Sequence, residues 1–241
     1  MDRLSALIAH FRMRVEPAPP EDGNLFAVSG RGGGPGWLVL CPAAGPARLL
    51  AEPEFSARVE WAGELNPLIS ALPARVSVDL AATPQIAAVL ELILQEQETH
   101  RCGAETVVSS LGQALMVRLL RHLIEVGTTE PGLLAGLSDA RLARSIVAMH
   151  DHPGRPWTTQ DLAREAGLSL SRYSELFSAQ VGESPMSYLR RWRLTLARQD
   201  LSRGDRVDAV ARRYAYDSPE GFTRAFRKTF GLAPISLRPQ G

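Results

Sequence analysis

The polar residues with the clearest binding chemistry lie in two short segments near the C-terminal end of the chain. The first segment holds Ser171, Arg172, Ser174 and Glu175, and the second holds Glu220, Thr223 and Arg224. At helical spacing, each set falls outside the apolar face of its own segment. An arginine fork matches the guanine edge in the major groove, and a carboxylate accepts a hydrogen bond from the cytosine amino group. We therefore predict that these side chains contact DNA bases.

These segments belong to an internal repeat, in which residues 162–185 align with residues 210–234. Phe177, Gly182 and Pro185 match Phe226, Gly231 and Pro234 at an offset of 49, whereas Ala163 and Arg164 match Ala211 and Arg212 at an offset of 48. One residue is therefore inserted in the turn of the second copy. Each copy predicts a helix–turn–helix unit, the first at about residues 158–182 and the second at about 206–231.

Local signals explain where these helices begin and end. In the first copy, Thr158 or Thr159 is a favoured N-cap, and Gly182 is a favoured C-cap for the second helix. The apolar residues Tyr173 and Phe177 share one face and predict the contact with the preceding helix. A unit of this kind places its second helix in the major groove of DNA.

The segment between the copies, residues 184–204, predicts a long helix with Tyr188, Trp192 and Leu196 inside. Its length of about 30 Å is close to the spacing of about 34 Å between successive major-groove faces on one side of a duplex. We expect the DNA backbone phosphates to be contacted by Thr159, Arg190, Arg191, Arg193, Arg227 and Lys228. Arg198, which lies on the helix predicted at 184–204, is placed to contribute to the same contacts. The alternative for any single arginine is a solvated helix face.

Charge is distributed unevenly along the chain. Residues 155–241 hold 15 Lys+Arg and 9 Asp+Glu, a net of +6, and the preceding 154 residues hold 12 and 17, a net of −5. The two values give the overall net charge of +1. This asymmetry predicts two domains, of which the basic one binds an anion such as nucleic acid.

The C-terminal region resembles the paired helix–turn–helix domain of AraC/XylS-type transcription regulators. The shared motifs are WTTQDLAREAGLSLSRYSELFSAQVGESPMSYLRRWRL and VDAVARRYAYDSPEGFTRAFRKTFGLAP. The resemblance covers about residues 138–238. This sequence departs from the family pattern at three positions: Ala215 stands where a glycine is common, Leu237 where a tyrosine is usual, and Glu175 where a basic or polar residue is frequent.

The N-terminal half predicts short strands and long helices. A short helix with Leu4, Leu7, Ile8 and Phe11 on one face is expected to open the chain and to end at Pro17. Strands are predicted at 25–29, 37–42, 47–52, 57–62 and 75–80, with a loose hairpin turn at 29–36. Helices are predicted from Pro84 to about Thr99, from about Ala104 to Val126, and from about Ser138 to His150.

This half resembles, less specifically, the cupin-like sensor domain of one subgroup of the same family, through DRLSALIAHF, NPLISALP and GAETVVSSLGQALMVRLLRHL. Too few strands precede Leu80 for a complete barrel, so the domain is expected to be shortened. The predicted fold class is α+β: a small degenerate cupin-like β domain with two helices at 1–130, followed by an all-α DNA-binding domain at 131–241. In the helix at 104–126, Val107, Leu111, Leu115, Leu119 and Leu123 form a stripe that predicts a core face or a homodimer surface.

Histidine and cysteine offer a second kind of chemistry. None of His10, His100, His122, His150 and His152 lies on a predicted strand, which argues against a cupin metal enzyme. We predict that the protein is not an enzyme and has no cofactor, and that His150 and His152 lie on the surface. Cys41, His100 and Cys102 are weak candidates for a soft-metal or oxidant sensor, whereas the simpler interpretation makes Cys41 a core residue.

The sequence therefore predicts a cytoplasmic, sequence-specific regulator of transcription, modulated through its N-terminal domain. Its partner is a double-stranded DNA operator; RNA polymerase, a second copy of the chain and an unidentified small-molecule effector are further candidates. Two alternatives stay open: a thiol- or metal-responsive regulator that senses through Cys41, Cys102 and His100, and a weakly specific architectural DNA-binding protein. No segment resembles a secretory signal, and membrane binding is not expected.

Overall fold

The computed structural model describes residues 2, 4, 7–8, 13–30, 36–42, 52–61, 71–99, 101–127 and 131–237. The chain divides into two compact units: one is Phe11–Gly127, and the other comprises Thr128–Gly241 with Met1–His10. The predicted domain boundary falls at residues 128–130, outside the described part, and stays a prediction.

The first unit contains an antiparallel sheet whose described strands are β1 (Met13–Pro17), β2 (Leu25–Val28), β3 (Trp37–Leu40), β4 (Phe55–Trp61) and β5 (Val76–Asp79). They lie in the order β1-β4-β2-β3-β5. In β4, buried Ala57 and Val59 alternate with exposed Arg58 and Glu60, as predicted for a half-buried strand. Residues 47–51 of the strand predicted at 47–52, and residues 31–35 of the turn predicted at 29–36, lie outside the described residues.

β1 corrects the predicted start of the chain. The opening helix was expected to continue to Pro17, whereas Met13–Pro17 pairs with Trp61–Ala57 of β4. The side chains of Met13 and Val15 are buried and that of Arg14 is exposed, which is the two-residue period of a strand. Ile8 is helical and its N–H donates to the Leu4 carbonyl (2.9 Å), so the local helical signal is confirmed only upstream of β1.

Two long helices complete this unit: α1 (Pro84–Thr99) and α2 (Ala104–Val126). The buried face of α2 holds Val108, Gly112, Leu115, Met116, Leu119, Leu120 and Ile124. A Cβ at Gly112 would lie 2.6 Å from a methyl carbon of Val15, so the glycine permits close approach to β1. Of the stripe predicted on this helix, Leu115 and Leu119 are buried, whereas Val107 is 42% exposed. The buried face is therefore rotated by part of a turn from the predicted one.

α2 is also long and apolar enough to cross a membrane, with a mean hydropathy of 1.2 over its best window. Length and composition do not separate a membrane span from the core helix of a soluble domain. In the protein, 39% of that window is buried, including Leu115 and Met116.

The second unit is helical throughout its described part. Its helices are α3 (Leu133–Ser138), α4 (Ala140–Asp151), α5 (Thr159–Ala166), α6 (Leu170–Val181), α7 (Pro185–Ser202), α8 (Val207–Arg213) and α9 (Pro219–Phe230), followed by a short 3-10 helix, Pro234–Leu237. The sequence did not predict α3, and it merged the start of α4 with Ser138. Asp139 separates them: its carboxylate accepts from the N–H groups of Arg141 and Leu142 and caps α4.

α7 is the central rod of this unit. Its side chains Tyr188, Leu189, Trp192, Leu196 and Leu201 are buried, as the helical period predicted. With 18 residues, α7 is about 27 Å long. The α+β fold class, with a small antiparallel sheet followed by a helical domain, is confirmed.

Candidate nucleic-acid interface

The first helix–turn–helix unit consists of α5 and α6. A capping box starts α5: the Asp161 N–H donates to the Thr158 hydroxyl (3.1 Å), and the Asp161 carboxylate accepts from the Thr158 N–H (3.0 Å). The hydrogen bonds from Thr158 lower the pKa of Asp161. Gly167 ends α5 with a φ of 68°, a left-handed conformation that costs glycine little.

α6 is fixed on α5 and the rest of the unit by its aromatic side chains. Tyr173 and Phe177 are fully buried with ring centroids 5.6 Å apart. The Tyr173 hydroxyl is hydrogen-bonded to that of Ser145 on α4 (3.1 Å). These contacts leave the opposite face of α6 in solvent, as the sequence predicted.

The outer face of α6 carries the four side chains predicted to contact bases. Ser171, Arg172 and Glu175 are exposed, and Ser174 is half-buried with its hydroxyl donating to the Leu170 carbonyl (2.9 Å). Arg172 and Glu175 form an ion pair with 3.0 Å between Nη1 and Oε2. Their spacing of three residues is the helical neighbour distance, which could have indicated this pair from the sequence.

The second helix–turn–helix unit consists of α8 and α9. Its turn reproduces the first: the N–H of Tyr216 donates to the Ala211 carbonyl (3.0 Å), as that of Leu168 does to Ala163 (3.0 Å). Ala215 takes the place of Gly167 with a φ of 56°. An L-residue with a Cβ is strained in this conformation, so the departure from the family pattern at Ala215 has an energetic cost.

The outer face of α9 differs in charge from that of α6. Glu220, Arg224, Arg227 and Lys228 are exposed, and Thr223 is half-buried. Among the described residues, no ion pair involves Arg224, Arg227 or Lys228. Phe222 and Phe226 are fully buried on the opposite face and hold α9 in place.

The residues predicted to contact phosphates occupy different environments. Thr159 is half-buried at the first position of α5, and Arg190 is exposed on α7. Arg191 donates through Nε and Nη2 to Glu183 Oε1 (3.0 and 2.6 Å), and its guanidinium lies 5.2 Å from the Tyr188 ring centroid. The Arg198 guanidinium lies 5.5 Å from the Phe230 ring centroid.

Arg193 is half-buried and binds the backbone of another segment. Its Nε and Nη2 donate to the carbonyl oxygens of Pro153 and Arg155, both at 2.7 Å. Burial lowers the pKa of its guanidinium. The Nε–Nη2 edge of its guanidinium is therefore occupied by two backbone carbonyls, an arrangement that the sequence did not reveal.

His150 corrects a prediction, because it was expected on the surface and is fully buried. Its Nε2 lies 2.6 Å from the Tyr188 hydroxyl, and its ring stacks on Trp192 with centroids 4.1 Å apart. The periodicity of α4 contained the signal, since Leu142, Ile146 and His150 recur at a spacing of four. His152, by contrast, is exposed as predicted.

The sequence did not predict the burial of Asp200 near the end of α7. Asp200 Oδ2 accepts from Arg213 Nη1 (2.6 Å) and from the Tyr214 hydroxyl (2.7 Å). Arg213 Nη1 also donates to Asp205 (2.6 Å), and these two carboxylates raise the pKa of the Arg213 guanidinium. This cluster ties α8 to the C-terminal end of α7.

The candidate thiol and metal residues occupy separate settings. Cys41 packs in a buried cluster with Phe26 and Val39, and burial raises the pKa of its thiol, which disfavours the reactive thiolate. Cys102 is exposed, and His100 lies outside the described residues. In the described part of the chain, no group of three or more His, Cys, Asp or Glu side chains could hold a metal ion.

Comparison with known proteins bears on both units. A helix-turn-helix domain family matches residues 162–240, and a cupin family matches residues 55–125. A putative AraC-like transcription regulator of Streptomyces lividans is 35% identical over 235 residues, covering 95% of this chain and 74% of that protein. One from Streptomyces antibioticus is 32% identical over 229 residues, covering 93% and 72%. An uncharacterized HTH-type transcriptional regulator of Haemophilus influenzae is 30% identical over 172 residues, covering 71% and 57%.

Proposed function

This chain belongs to the AraC-like transcription regulators, and we propose that it binds a specific operator by placing α6 and α9 in two successive major grooves of one duplex. Its family membership confirms the resemblance in the sequence and the prediction that the protein is a DNA-binding regulator rather than an enzyme. We infer that it acts in the cytoplasm, on the basis of its proposed role in binding DNA.

The observation that carries this proposal is the matched construction of the two units. Each presents the polar face of its second helix to solvent while two aromatic side chains anchor the other face. α7 joins the units and, at about 27 Å, has nearly the length of one helical turn of DNA, about 34 Å. One chain therefore has two recognition helices on a common rod.

The proposed base contacts differ between the units. Arg224 has the geometry to pair bidentately with guanine, and Glu175 to accept from a cytosine amino group, with Ser171, Arg172, Ser174, Glu220 and Thr223 as neighbouring contacts. Arg190, Arg227 and Lys228 are exposed and suited to phosphates, with Thr159 at the start of α5. Because Glu175 and Arg224 occupy equivalent positions, the two half-sites are expected to differ in sequence.

The test is selection of bound sites from random DNA by the full-length protein, followed by measurement of affinity at fixed salt. We expect one bipartite site, bound at least about a thousandfold more tightly than unrelated DNA. A ratio near unity would instead favour the architectural alternative, in which phosphate contacts supply nearly all of the binding energy.

We propose that the first unit modulates this binding through a cleft between α1 and α2. The cleft has a volume of about 310 Å³, and its lining includes Gln85, Arg118, Arg121, His122 and Glu125. Arg118 donates to the Gln85 side chain (3.0 Å), and among the described residues neither Arg118 nor Arg121 forms an ion pair. Two such guanidinium groups suit a small anion, such as a carboxylate or a phosphate.

Thermal unfolding of the full-length protein in acetate, phosphate and chloride of equal ionic strength tests this cleft. Specific stabilisation by acetate or phosphate is expected, because a ligand that binds only the folded state raises the unfolding temperature. The effect should disappear in Arg121→Gln and persist in Arg14→Gln, a matched control with an exposed arginine on β1. Equal unfolding temperatures in all three salts would exclude the site.

The thiol-responsive alternative makes a different prediction. If the exposed Cys102 senses oxidant, Cys102→Ser should abolish any change in operator affinity between reduced and oxidised protein. An unchanged response in Cys102→Ser would remove that alternative.

A further inference from the structure

The segment that joins α4 to α5, residues 152–158, is fastened to α7. Its Pro153 and Arg155 carbonyls accept the two hydrogen bonds from Arg193, each at 2.7 Å. The segment is also closed on itself: Trp157 Nε1 donates to the His152 carbonyl (2.9 Å), and the Arg155 guanidinium lies 4.0 Å from the Trp157 ring centroid. Arg193 therefore holds a folded segment at two points and fixes the entry of the first helix–turn–helix unit.

The same segment touches the second helix–turn–helix unit. A Cβ built on Gly154 would lie 2.3 Å from the carbonyl oxygen of Arg213, the last residue of α8. Because that obstacle is backbone rather than a flexible side chain, only glycine fits without movement of the segment or of α8. Gly154 thus marks a close approach between the entry to α5 and the end of α8.

Arg213 connects this approach back to α7. Its side chain is bound by Asp200 near the end of α7 and by Asp205 after it, each at 2.6 Å. A closed set of contacts therefore links residues 152–158 to the middle of α7, to the end of α8 and, through Arg213, to the end of α7. We name this set the clasp; its residues are Pro153, Gly154, Arg155, Arg193, Asp200 and Arg213.

We propose that Arg193 is a positioning residue which, through the clasp, fixes the separation and rotation of the two recognition helices. The inference rests on the proposed function, since it assumes that α6 and α9 bind the same duplex. It gives Arg193 a role other than the predicted phosphate contact, because the Nε–Nη2 edge of its guanidinium already binds the Pro153 and Arg155 carbonyls.

A fixed separation has a measurable consequence for binding. When one unit is bound, a rigid connection presents the other at a high effective concentration, but only for half-sites at the matching spacing. Each inserted base pair rotates one half-site relative to the other by about 35°. A loosened clasp should therefore lower affinity at the natural spacing and reduce the additional loss caused by insertions.

The experiment measures the full-length protein on its selected site and on versions with one or two base pairs inserted between the half-sites. For Arg193→Gln and Gly154→Ala we expect about a tenfold loss at the natural spacing and a flatter dependence on spacing than in the wild type. Arg190→Gln is the matched control, with an exposed arginine on the same helix: it should lower the slope of log affinity against log salt by about one and leave the spacing dependence unchanged.

Arg193→Lys separates the clasp from a phosphate contact. Lysine retains the charge that a phosphate needs but lacks the planar fork that binds two carbonyls. We expect Arg193→Lys to behave like Arg193→Gln in the spacing assay, with the wild-type salt slope in both. Wild-type spacing dependence in Arg193→Lys, or a reduced salt slope in Arg193→Gln alone, would overturn the proposal.

Two further outcomes are decisive. Circular dichroism and thermal unfolding identify a variant that fails to fold. If the Arg193 variants fail to fold, Gly154→Ala, which retains Arg193, tests the clasp instead. A wild-type spacing dependence in Gly154→Ala would overturn the clasp. If the wild-type protein selects no site at all, the proposed function itself fails. A wild type that selects a site but tolerates every spacing leaves the proposed function standing and overturns the clasp alone.

Discussion

α6 and α9 occupy equivalent places in the repeat but present different electrostatics. On α6, Arg172 and Glu175 neutralise each other at 3.0 Å, with 55% and 71% of their side chains exposed. On α9, Arg224 takes the position of Glu175, and Arg227 and Lys228 add two further exposed cations. The duplicated fold has kept its buried aromatic anchors while its surfaces have diverged. We therefore expect α9 to supply more of the DNA-binding energy than α6.

The largest expected effect tests that inequality directly. Arg224→Ala should cost about 1–3 kcal/mol on the selected site, because it removes the proposed bidentate contact to one base pair. Fluorescence anisotropy at fixed salt, on the selected site and on single-base variants, measures both affinity and preference. Arg14→Ala, which alters an exposed arginine on β1, is the control. Unchanged affinity and unchanged base preference would show that Arg224 does not contact a base.

A second variant separates phosphate binding from base recognition on the same helix. Lys228→Ala should weaken binding to all sequences alike and lower the slope of log affinity against log salt by about one, because one counterion fewer is released. Titrations at several salt concentrations, on selected and unrelated DNA, provide the slope. A loss confined to the selected site would instead make Lys228 a specificity contact.

Regular patterns made much of this fold predictable. The alternation in β4 and β5, the caps of α5 and α6, and the aromatic positions of the repeat all express local periods that one sequence displays. β1 was missed because a helical pattern precedes it directly and its paired residues in β4 lie 40 to 48 positions further along the chain. Pairing at that distance leaves no mark in the local sequence.

The same division applies to the candidate site. The outward faces of α6 and α9 follow from helical geometry, and the structure places every predicted base-contact residue on them or beside them. Two other sets of contacts could not be predicted, because they join residues that are far apart in sequence. They are the hydrogen bonds of Arg193 to Pro153 and Arg155, and the ion pair of Asp200 with Arg213. An arginine in a basic helix has the same sequence signature whether it binds a phosphate or a buried carbonyl.

The turns offer a comparison of stability rather than of binding. Ala215 holds a φ of 56° where Gly167 holds 68°, and the left-handed conformation costs an L-residue about 1–2 kcal/mol. Part of the gain in replacing it is lost to the greater freedom of glycine in the unfolded chain. Ala215→Gly should therefore stabilise the protein by about 0.5–1 kcal/mol in urea unfolding.

The reciprocal change, Gly167→Ala, is its matched counterpart. It should destabilise the protein by about 1 kcal/mol, because the substitution introduces the same backbone strain in the first unit. Its Cβ would also meet Arg144 Nη2 at 3.0 Å, and that guanidinium is held by hydrogen bonds to the Glu165 and Ala166 carbonyls (3.0 and 2.6 Å), so its displacement adds to the cost. Equal stability of the wild type and Ala215→Gly would show that the turn of the second unit relaxes the strain at Ala215.

The smallest net effect, and the sharpest test of the inequality, is expected at Glu175. Glu175→Ala removes a negative charge from the face of α6 that is proposed to enter the major groove and releases Arg172, and both changes favour DNA binding of any sequence. An exposed ion pair of this kind contributes only about 0.3–0.5 kcal/mol to stability, so the fold should be unaffected. If Glu175 accepts from a cytosine, the variant also loses discrimination at that base pair, and the two effects should nearly cancel on the selected site.

We expect an affinity change below about 1 kcal/mol there, tighter binding to unrelated DNA, and relaxed preference at one position of the half-site bound by α6. Site selection repeated with the variant measures that preference. Uniformly tighter binding with an unchanged preference would mean that α6 docks without reading this base pair, and that Glu175 weakens the first unit by repulsion alone.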